Sequence, residues 1–332
     1  MSPKVSIIVP CYNEQSTIFS MLKAFHVQTF PRAEMEVVIA DGMSTDGTRA
    51  AISAFQRDFP DLDVRVVDNE KRFIPAGVNR AIEASRGEII VRFDGHSQPY
   101  PDYVANCIAA HLAGRGDNVG GVWEIHPGAD TWIAESIAAA AAHPLGVGDA
   151  LYRHARYAAE VDTVPFGSFR RALLEQVGYF DESLLTNEDY EFNARIRKHG
   201  GKIWLDPSIR SVYFARSTLV ELIRQYWRYG FWKWQMLRRY PDTLRWRQAL
   251  PPLFVVSLIG LAIISIFTPL GRLLLLAELL LYFSILILAG ILVAIRRRKA
   301  YFVLGLPISI FAMHVSWGSG FLWSMLTSSK NG

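Results

Sequence analysis

From residue 250 to residue 326 the chain is almost continuously apolar, and that stretch limits what the whole can be. It divides into three spans, about 250–267, 272–295 and 301–326, each near the ~20 residues that a bilayer core requires. The first two thirds read as ordinary soluble α/β sequence. A soluble domain followed by a three-helix transmembrane tail is therefore expected. The connector Arg296, Arg297, Arg298 and Lys299 is the densest positive cluster, and Arg238, Arg239, Arg245 and Arg247 precede the first span. By the positive-inside rule both flanks are cytosolic, an N-in, C-out topology with an odd number of spans. Glu278 and His314 are costly in lipid and should face the bundle interior, where each could be the other's partner.

Four earlier segments share one design: "VSIIV", "MEVVIA", "VRVVD" and "EIIVRF" are short, β-branched and apolar on both faces. Such runs suit a buried parallel sheet. Between them lie the helical patterns "EQSTIFSMLKAF", "TDGTRAAISAFQRDF" and "IPAGVNRAIEAS", so the alternation predicts βαβ units and an open, doubly wound sheet. The strands end in polar tips, Pro10 to Glu14, Asp41-Gly42, Asp68-Asn69 and Asp94-Gly95-His96. Ligands of such sheets bind outside the carboxyl ends of the strands, so these tips should converge on one cleft. The first apolar run is too brief for a signal-peptide core, which places the domain in the cytosol. Cys11 and Cys107 match neither a disulfide framework nor a zinc pattern, as fits a reducing compartment. The net charge of +4, from 35 basic and 31 acidic residues, is too small and dispersed for nucleic acid.

After about Val119 the alternation lapses. A strand "GGVWEI" and an Ala-rich helix near residues 135–142 precede "VPFGSFRRALLEQVGYFDE", "NEDYEFNARIRKHG" and "KIWLDP". The segment "TLVELIRQYWRYGFWKWQMLRR" is amphipathic: Leu219, Leu222, Ile223, Tyr226, Trp227 and Leu237 share one side, with Glu221, Arg224, Gln225, Arg228 and Arg239 on the other. So many Trp, Tyr and Arg residues just before the tail suit a helix lying in the membrane interface. A surface helix packed on protein satisfies the same periodicity.

Asp94 and His96 point into one cleft from a strand's end, and both residue types ligate divalent cations. Taken alone, D-x-H is equally a turn in which the aspartate satisfies local backbone. The surrounding residues decide. "VSIIVPCYNE", "VVIADGMSTDGT", "GEIIVRFDGH", "GSFRRALLEQVGYFDE" and "NEDYEFNARIRKHG", in that order from Val5 to about Gly230, resemble the family 2 glycosyltransferases of GT-A fold. With "DGH" where D-x-D is usual and a three-span tail, the chain is most similar to the succinoglycan-biosynthesis glucosyltransferase branch. The fold the resemblance implies is α/β: a Rossmann-like, mostly parallel catalytic domain over residues 1–215, amphipathic interfacial helices over 216–249 and the transmembrane domain over 250–332.

The resemblance also implies roles. Pro10, Tyr12, Glu14 and Asp41 match positions that hold the nucleoside, whereas Asp46 in "DGMSTDGT" reads as a helix cap. Arg72, Gly77 and Asn79 fall beside the nucleotide sugar, although Gly77 also reads as an ordinary helical glycine. Asp94 and His96 match the metal motif, where Mn²⁺ or Mg²⁺ would bridge the donor diphosphate. The imidazole favours Mn²⁺, since Mg²⁺ prefers oxygen ligands. Glu188 and Asp189 resemble the catalytic pair, with Asp189 the general base for the acceptor hydroxyl, although Asn187-Glu188-Asp189 is also what an ordinary helix N-terminus looks like. Gly167 and Ser168 would line the acceptor side. Gln225 and Arg228 resemble Q-x-x-R-W, with Tyr229 where Trp is usual, and Arg228 would meet the diphosphate.

The function implied is that of a metal-dependent, inverting hexosyltransferase of the inner membrane, with its catalytic domain on the cytoplasmic face. It would move a sugar, glucose from UDP-glucose in that branch, to an undecaprenyl diphosphate-linked oligosaccharide in exopolysaccharide synthesis, with other glycan-biosynthesis membrane proteins as candidate partners. Rival readings are a polyprenyl-phosphate glycosyltransferase, a processive synthase and a non-catalytic nucleotide-sugar-binding subunit. No P-loop or strand-following G-x-G-x-x-G appears, so kinase and dinucleotide readings lack their phosphate loops.

Overall fold

The β-branched runs form the centre of a sheet. In the computed structural model, which describes residues 3–95, 97–148, 150–243 and 245–328, these are β1 (Val5–Cys11), β2 (Met35–Asp41), β3 (Asp63–Asp68) and β4 (Ile89–Arg92). They run parallel in the order β3-β2-β1-β4, with Val5 opposite both Met35 and Ile89. Every residue of β1 and β2 is buried, because helices cover both faces. Val5, Ile7 and Val9 pack with α1 (Ile18–His26) and α2 (Thr48–Asp58), whereas Ile8 and Val38 pack with α3 (Ile74–Ala84). Strand residues alternate between faces, so two apolar faces need two helical layers.

Beyond β4 the sheet changes character. Next in the chain come β5 (Ser97–Pro99), α4 (Tyr103–Leu112), β6 (Asn118–His126), α5 (Trp132–Ala141), α6 (Pro144–Val147), β7 (Ala159–Glu160), β8 (Ser168–Arg170), α7 (Leu173–Val177), α8 (Glu188–Lys198) and β9 (Ile203–Phe214). The sheet order continues β4-β8-β6-β9-β5, with β7 also on β9. β8 is antiparallel to β4 and β6, and β5 and β7 are antiparallel to β9. The parallel character expected from the sequence thus belongs to four strands. β9 alternates buried and partly exposed residues, as a half-covered antiparallel strand does.

Under the amino ends of the parallel strands, Glu36 is fully buried. The Ser6 hydroxyl (2.6 Å), Arg65 (2.5 Å) and both the backbone N–H (2.5 Å) and side chain (3.0 Å) of Arg86 donate to it. Burial alone would raise its pKa, but the Ser6, Arg86 and Arg65 donors together hold it below the usual carboxylate value. A lowered folded-state pKa adds stability above the unfolded value and loses it as pH falls through the folded one. Glu36→Gln should therefore cost about 1–3 kcal/mol at neutral pH and flatten the loss of stability below about pH 4. Denaturant melts at pH 7 and pH 3.5 test both.

By internal contacts the chain forms two units, Met1–Glu124 with Leu151–Tyr213, and Ile125–Ala150 with Phe214–Gly332. The second unit contains α5, α6, α9 (Leu219–Arg239), α10 (Trp246–Phe267), α11 (Pro269–Arg297) and α12 (Phe302–Ser328). The last three, at 22, 29 and 27 residues, are long and apolar enough to cross a membrane. α10 and α11 leave most of their apolar surface exposed, but half of the most apolar window of α12 is covered. Along α12 the small residues Gly305, Ser309, Ser316, Gly320, Ser324 and Ser328 are buried. Ser136 of α5 abuts Gly305, and Gln235 of α9 donates to Ser324 (3.0 Å) and Ser328 (2.5 Å).

Two expectations for this unit are revised. The buried line of α9 is Leu222, Tyr226, Gly230, Lys233 and Leu237, whereas Ile223 and Trp227 are exposed. Leu222, Tyr226 and Leu237 of the expected side are thus buried, and Gly230 on the same line lets α12 approach where a side chain would not. Glu278 and His314 do not meet: Glu278 accepts from Ser257 of α10 (3.0 Å), and His314 pairs through Nδ1 with the Tyr282 hydroxyl (2.8 Å). Lys299, in the basic connector, donates to Glu135 of α5 at 2.6 and 2.7 Å, as does Tyr301. Lys299 and then Tyr301 hold the Glu135 carboxyl below its ordinary value.

Candidate functional site

The centre of the site is an arginine in the wrong place for an ordinary strand. Arg92 ends β4 in the middle of the sheet, and only 3% of its side chain is exposed. A charge that deep needs partners. It has three: Nη2 donates to Glu188 (2.8 Å) and, more weakly, to Asp94 (3.3 Å), and Nη1 forms an ion pair with Asp189. Burial works against the charged form, yet Asp94 and then Glu188 raise the Arg92 pKa further. Asp94 continues β4 past its end, and Glu188 and Asp189 open α8. Asn187, just before them, is in the left-handed region (φ 69°) and makes no side-chain cap, so this is not an ordinary Asn-capped start. Negative charge at the first turn is favoured by the helix dipole. The Asp94 and Asp189 side chains remain 24% and 29% exposed, against 9% for Glu188. Two carboxylates are thus open to a ligand, and one backs them.

The packing beneath is rigid. The guanidinium lies over the Phe180 ring at 5.8 Å, and Phe180 stacks on Phe192 of α8 at 4.4 Å. Asn79 clamps the Phe180 backbone in both directions, donating to its carbonyl (2.9 Å) and accepting from its N–H (3.0 Å), and also donates to Glu182. The amide of Asn79, expected beside the nucleotide sugar, is taken up by this loop.

The residues expected on the nucleoside side cluster at the tips of β1 and β2. Asp41 is fully buried and accepts from the Ser44 hydroxyl and the Arg49 Nε, both at 2.5 Å, and Arg49 bridges on to Asp68. Asp46, expected to cap α2, lies one residue before its N-cap Gly47 and accepts from the Thr48 N–H and hydroxyl at the first helical position. Tyr12 is exposed beside Gly42, and Pro10 is buried under Gly77, where a Cβ would come 3.0 Å from the Pro10 Cβ. That close approach gives Gly77 a packing reason. Arg72 is exposed in a left-handed turn (φ 60°). A Cβ on Gly95 would lie 3.0 Å from the Glu14 side chain, so the tip of β1 meets the D-G-H turn.

The acceptor-side candidates sit at the start of β8, against β4. Ser168 is fully buried, donates to the Val119 carbonyl (3.0 Å) and meets His111, whose pKa burial lowers. A Cβ on Gly167 would collide with Asn118, and the Gly167 carbonyl accepts from the Arg92 N–H. Gln225 and Arg228 belong to the second unit, where Gln225 donates to the Tyr229 hydroxyl (2.8 Å) and Arg228 is exposed. His96 lies outside the described residues.

Among the described residues no three His, Cys, Asp or Glu side chains gather to cage a metal. What remains fits a cation shared with a ligand: an accessible Asp94, loosely held, in a cluster where three carboxylates outnumber one guanidinium. Mg²⁺-type sites are commonly built from one or two carboxylates plus substrate phosphates.

Arg92 and Arg49 escaped the sequence reading. The signal was present, because an arginine within "IIVRF" contradicts a strand apolar on both faces.

The comparisons agree with this geometry. Residues 6–178 match the family model described as "Glycosyl transferase family 2". The succinoglycan biosynthesis protein ExoA of Rhizobium meliloti is 29% identical, over 96% of this chain and 94% of its own, as the D-G-H motif and tail suggested. A dolichyl N-acetyl-α-D-glucosaminyl phosphate 3-β-D-2,3-diacetamido-2,3-dideoxy-β-D-glucuronosyltransferase of Methanococcus voltae is 27% identical over 97% of both chains. In fold, the mannosyltransferase PcManGT of Pyrobaculum calidifontis, solved with GDP-Man and Mn²⁺, superposes with a TM-score of 0.65 at 23% identity, covering 97% of this chain and 88% of that one. With more than half of the chain inside the family model and a GT-A-like sheet carrying the acidic tips, the protein is a member of glycosyl transferase family 2.

Proposed function

We propose that the protein is a membrane-bound, inverting glycosyltransferase that adds one hexose, glucose from UDP-glucose in the first instance, to a lipid-linked oligosaccharide on the cytosolic face. The observation that carries this reading is the meeting of Asp94 and Asp189 on one buried guanidinium, from positions far apart in the chain. Asp94 would hold Mn²⁺ or Mg²⁺ together with the donor diphosphate, and His96 is the second ligand that the D-x-H motif proposes. When bound, the cation offsets the charge that builds on the departing nucleotide. Asp189, the more accessible of the two α8 carboxylates, takes the proton from the acceptor hydroxyl as that oxygen attacks the anomeric carbon. Displacement is direct, so the configuration inverts. Pro10, Tyr12, Glu14 and Asp41 hold the nucleoside at the tips of β1 and β2, with Arg72 beside them.

The similarity to a transferase named for a dolichyl phosphate-linked sugar and to a succinoglycan biosynthesis protein supports a lipid-linked acceptor and polysaccharide synthesis, as do three helices long enough to cross a bilayer. The basic connector at 296–299 and the arginines before α10 favour cytosolic flanks. The resemblance of Gln225 and Arg228 to Q-x-x-R-W is the basis for assigning Arg228 to the donor diphosphate.

The test is to incubate membranes containing the protein with labelled nucleotide sugars, Mn²⁺ or Mg²⁺, and an undecaprenyl diphosphate-linked acceptor. The expected product is the acceptor extended by a single inverted residue. A phosphodiester-linked monosaccharide or a long homopolymer would move the assignment to another member of the family. Nucleotide-sugar binding with no Asp189-dependent transfer from any donor would reduce the chain to a binding subunit.

A further inference from the structure

We propose that Arg92 is the positioning residue of this site: a fixed cation, sealed beneath the cleft, that aims the base Asp189 and shares Asp94 with the donor-bound metal. The inference rests on the function proposed above. Its three contacts are unequal. Arg92 forms a direct ion pair with Asp189 and a 2.8 Å bond to Glu188, but reaches Asp94 only at 3.3 Å. Asp94 is therefore the partner most easily given up. Were Asp94 to hold a cation with the donor diphosphate, the guanidinium would keep Glu188 and Asp189, which both open α8.

Retreat of the arginine is blocked. Its guanidinium sits over the Phe180 ring at 5.8 Å, Phe180 is stacked on Phe192, and Asn79 clamps the Phe180 backbone from α3. The backbone N–H of Arg92 is bonded to the Gly167 carbonyl (3.1 Å), which fixes the strand from which the side chain starts. A guanidinium suits the task because it stays charged and presents its donors as a planar fork. An ammonium would supply the charge at one point only.

The consequence is a split between binding and chemistry. Donor and cation are held by groups other than Arg92, whereas the aim of Asp189 depends on it. Removing a competing positive charge beside Asp94 should leave Mn²⁺ affinity unchanged or higher. A merely structural arginine would lower donor binding and turnover together.

The experiment uses the full-length protein in membranes or detergent, with Arg92→Met, Arg92→Lys and Asp189→Asn beside the wild type. Titration calorimetry with UDP and Mn²⁺, and the spectroscopic signal of bound Mn²⁺, report binding without turnover. Initial rates at saturating donor and acceptor report kcat. Arg92→Met should bind Mn²⁺ and UDP at least as tightly as the wild type while kcat falls by about 10²-fold or more, and Arg92→Lys should recover part of kcat. Wild-type kcat in Arg92→Met, or parallel loss of binding and kcat in both variants, overturns the assignment. Should Arg92→Met not fold, Arg92→Lys decides alone: lowered kcat with intact Mn²⁺ and UDP binding upholds the proposal, and wild-type values for both overturn it. If the wild type itself shows no Asp189-dependent transfer, the proposed function falls, and this role falls with it. If it does transfer, a failure here removes the Arg92 role alone.

Discussion

Replacing Asp189 by asparagine should lower kcat by about 10²–10⁴-fold with little change in the apparent affinity for the donor. The substitution keeps the size of the side chain and a carbonyl oxygen that can still accept from Arg92, but removes the group that takes the proton. Glu188 cannot replace it, because its side chain is only 9% exposed and is tied to Arg92 at 2.8 Å. Glu188→Gln should therefore act through the geometry of its neighbour and cost less than Asp189→Asn. Asp94→Asn makes the complementary contrast: it weakens the oxygen ligand offered to the cation, so the Mn²⁺ concentration needed for half-maximal rate should rise. Initial rates over a matrix of donor and Mn²⁺ concentrations separate the three variants. Equal losses in Asp189→Asn and Glu188→Gln would assign the two carboxylates a joint structural role and remove the base from the mechanism.

Much of this site was legible because the family motifs sit at strand and helix ends. Asp94 follows a strand whose apolar run stops abruptly, and Glu188 and Asp189 start a helix, so backbone pattern alone puts them at the edge of the layer where ligands bind. What the pattern could not supply was the neighbour across the sheet. β4 lies between β1 and β8, and β8 comes from far along the chain, so the register that seats Gly167 against Arg92 is a tertiary fact. Asn79 shows the same limit: the family resemblance placed it beside the nucleotide sugar, but it lies inside α3 and a loop far along the chain claims its amide. In the tail the apolar periodicity of α9 marked a buried side. It included Leu222, Tyr226 and Leu237, which are buried, but also Ile223 and Trp227, which stay exposed, and it gave no sign of Gly230, the point of close approach to α12. Periodicity ranks residues by hydrophobicity, and close helix contact depends on how near two backbones can come.

That last point predicts the largest effect on the second unit. α9 and α12 touch through two glycines placed reciprocally. A Cβ on Gly230 would overlap the Trp317 carbonyl oxygen and lie 2.9 Å from the Phe321 nitrogen, and a Cβ on Gly320 would overlap the Trp227 carbonyl oxygen. Each glycine thus receives the backbone of the other helix, and neither obstacle can rotate away as a side chain would. Gly230→Leu should push the helices apart and forfeit the packing of Leu222, Tyr226 and Leu237 together with the bonds from Gln235 to Ser324 and Ser328. Overpacking against flexible side chains costs about 1–3 kcal/mol, and a backbone obstacle places this variant at or above the upper end. Limited proteolysis in detergent should then cut within residues 214–245 much faster than in the wild type. The alanine variants refine the point. Once Gly230→Ala has separated the backbones, Gly320→Ala meets less resistance, so the double variant should cost less than the sum of the two singles. Strict additivity in thermal melts would show that the two glycines do not share one contact.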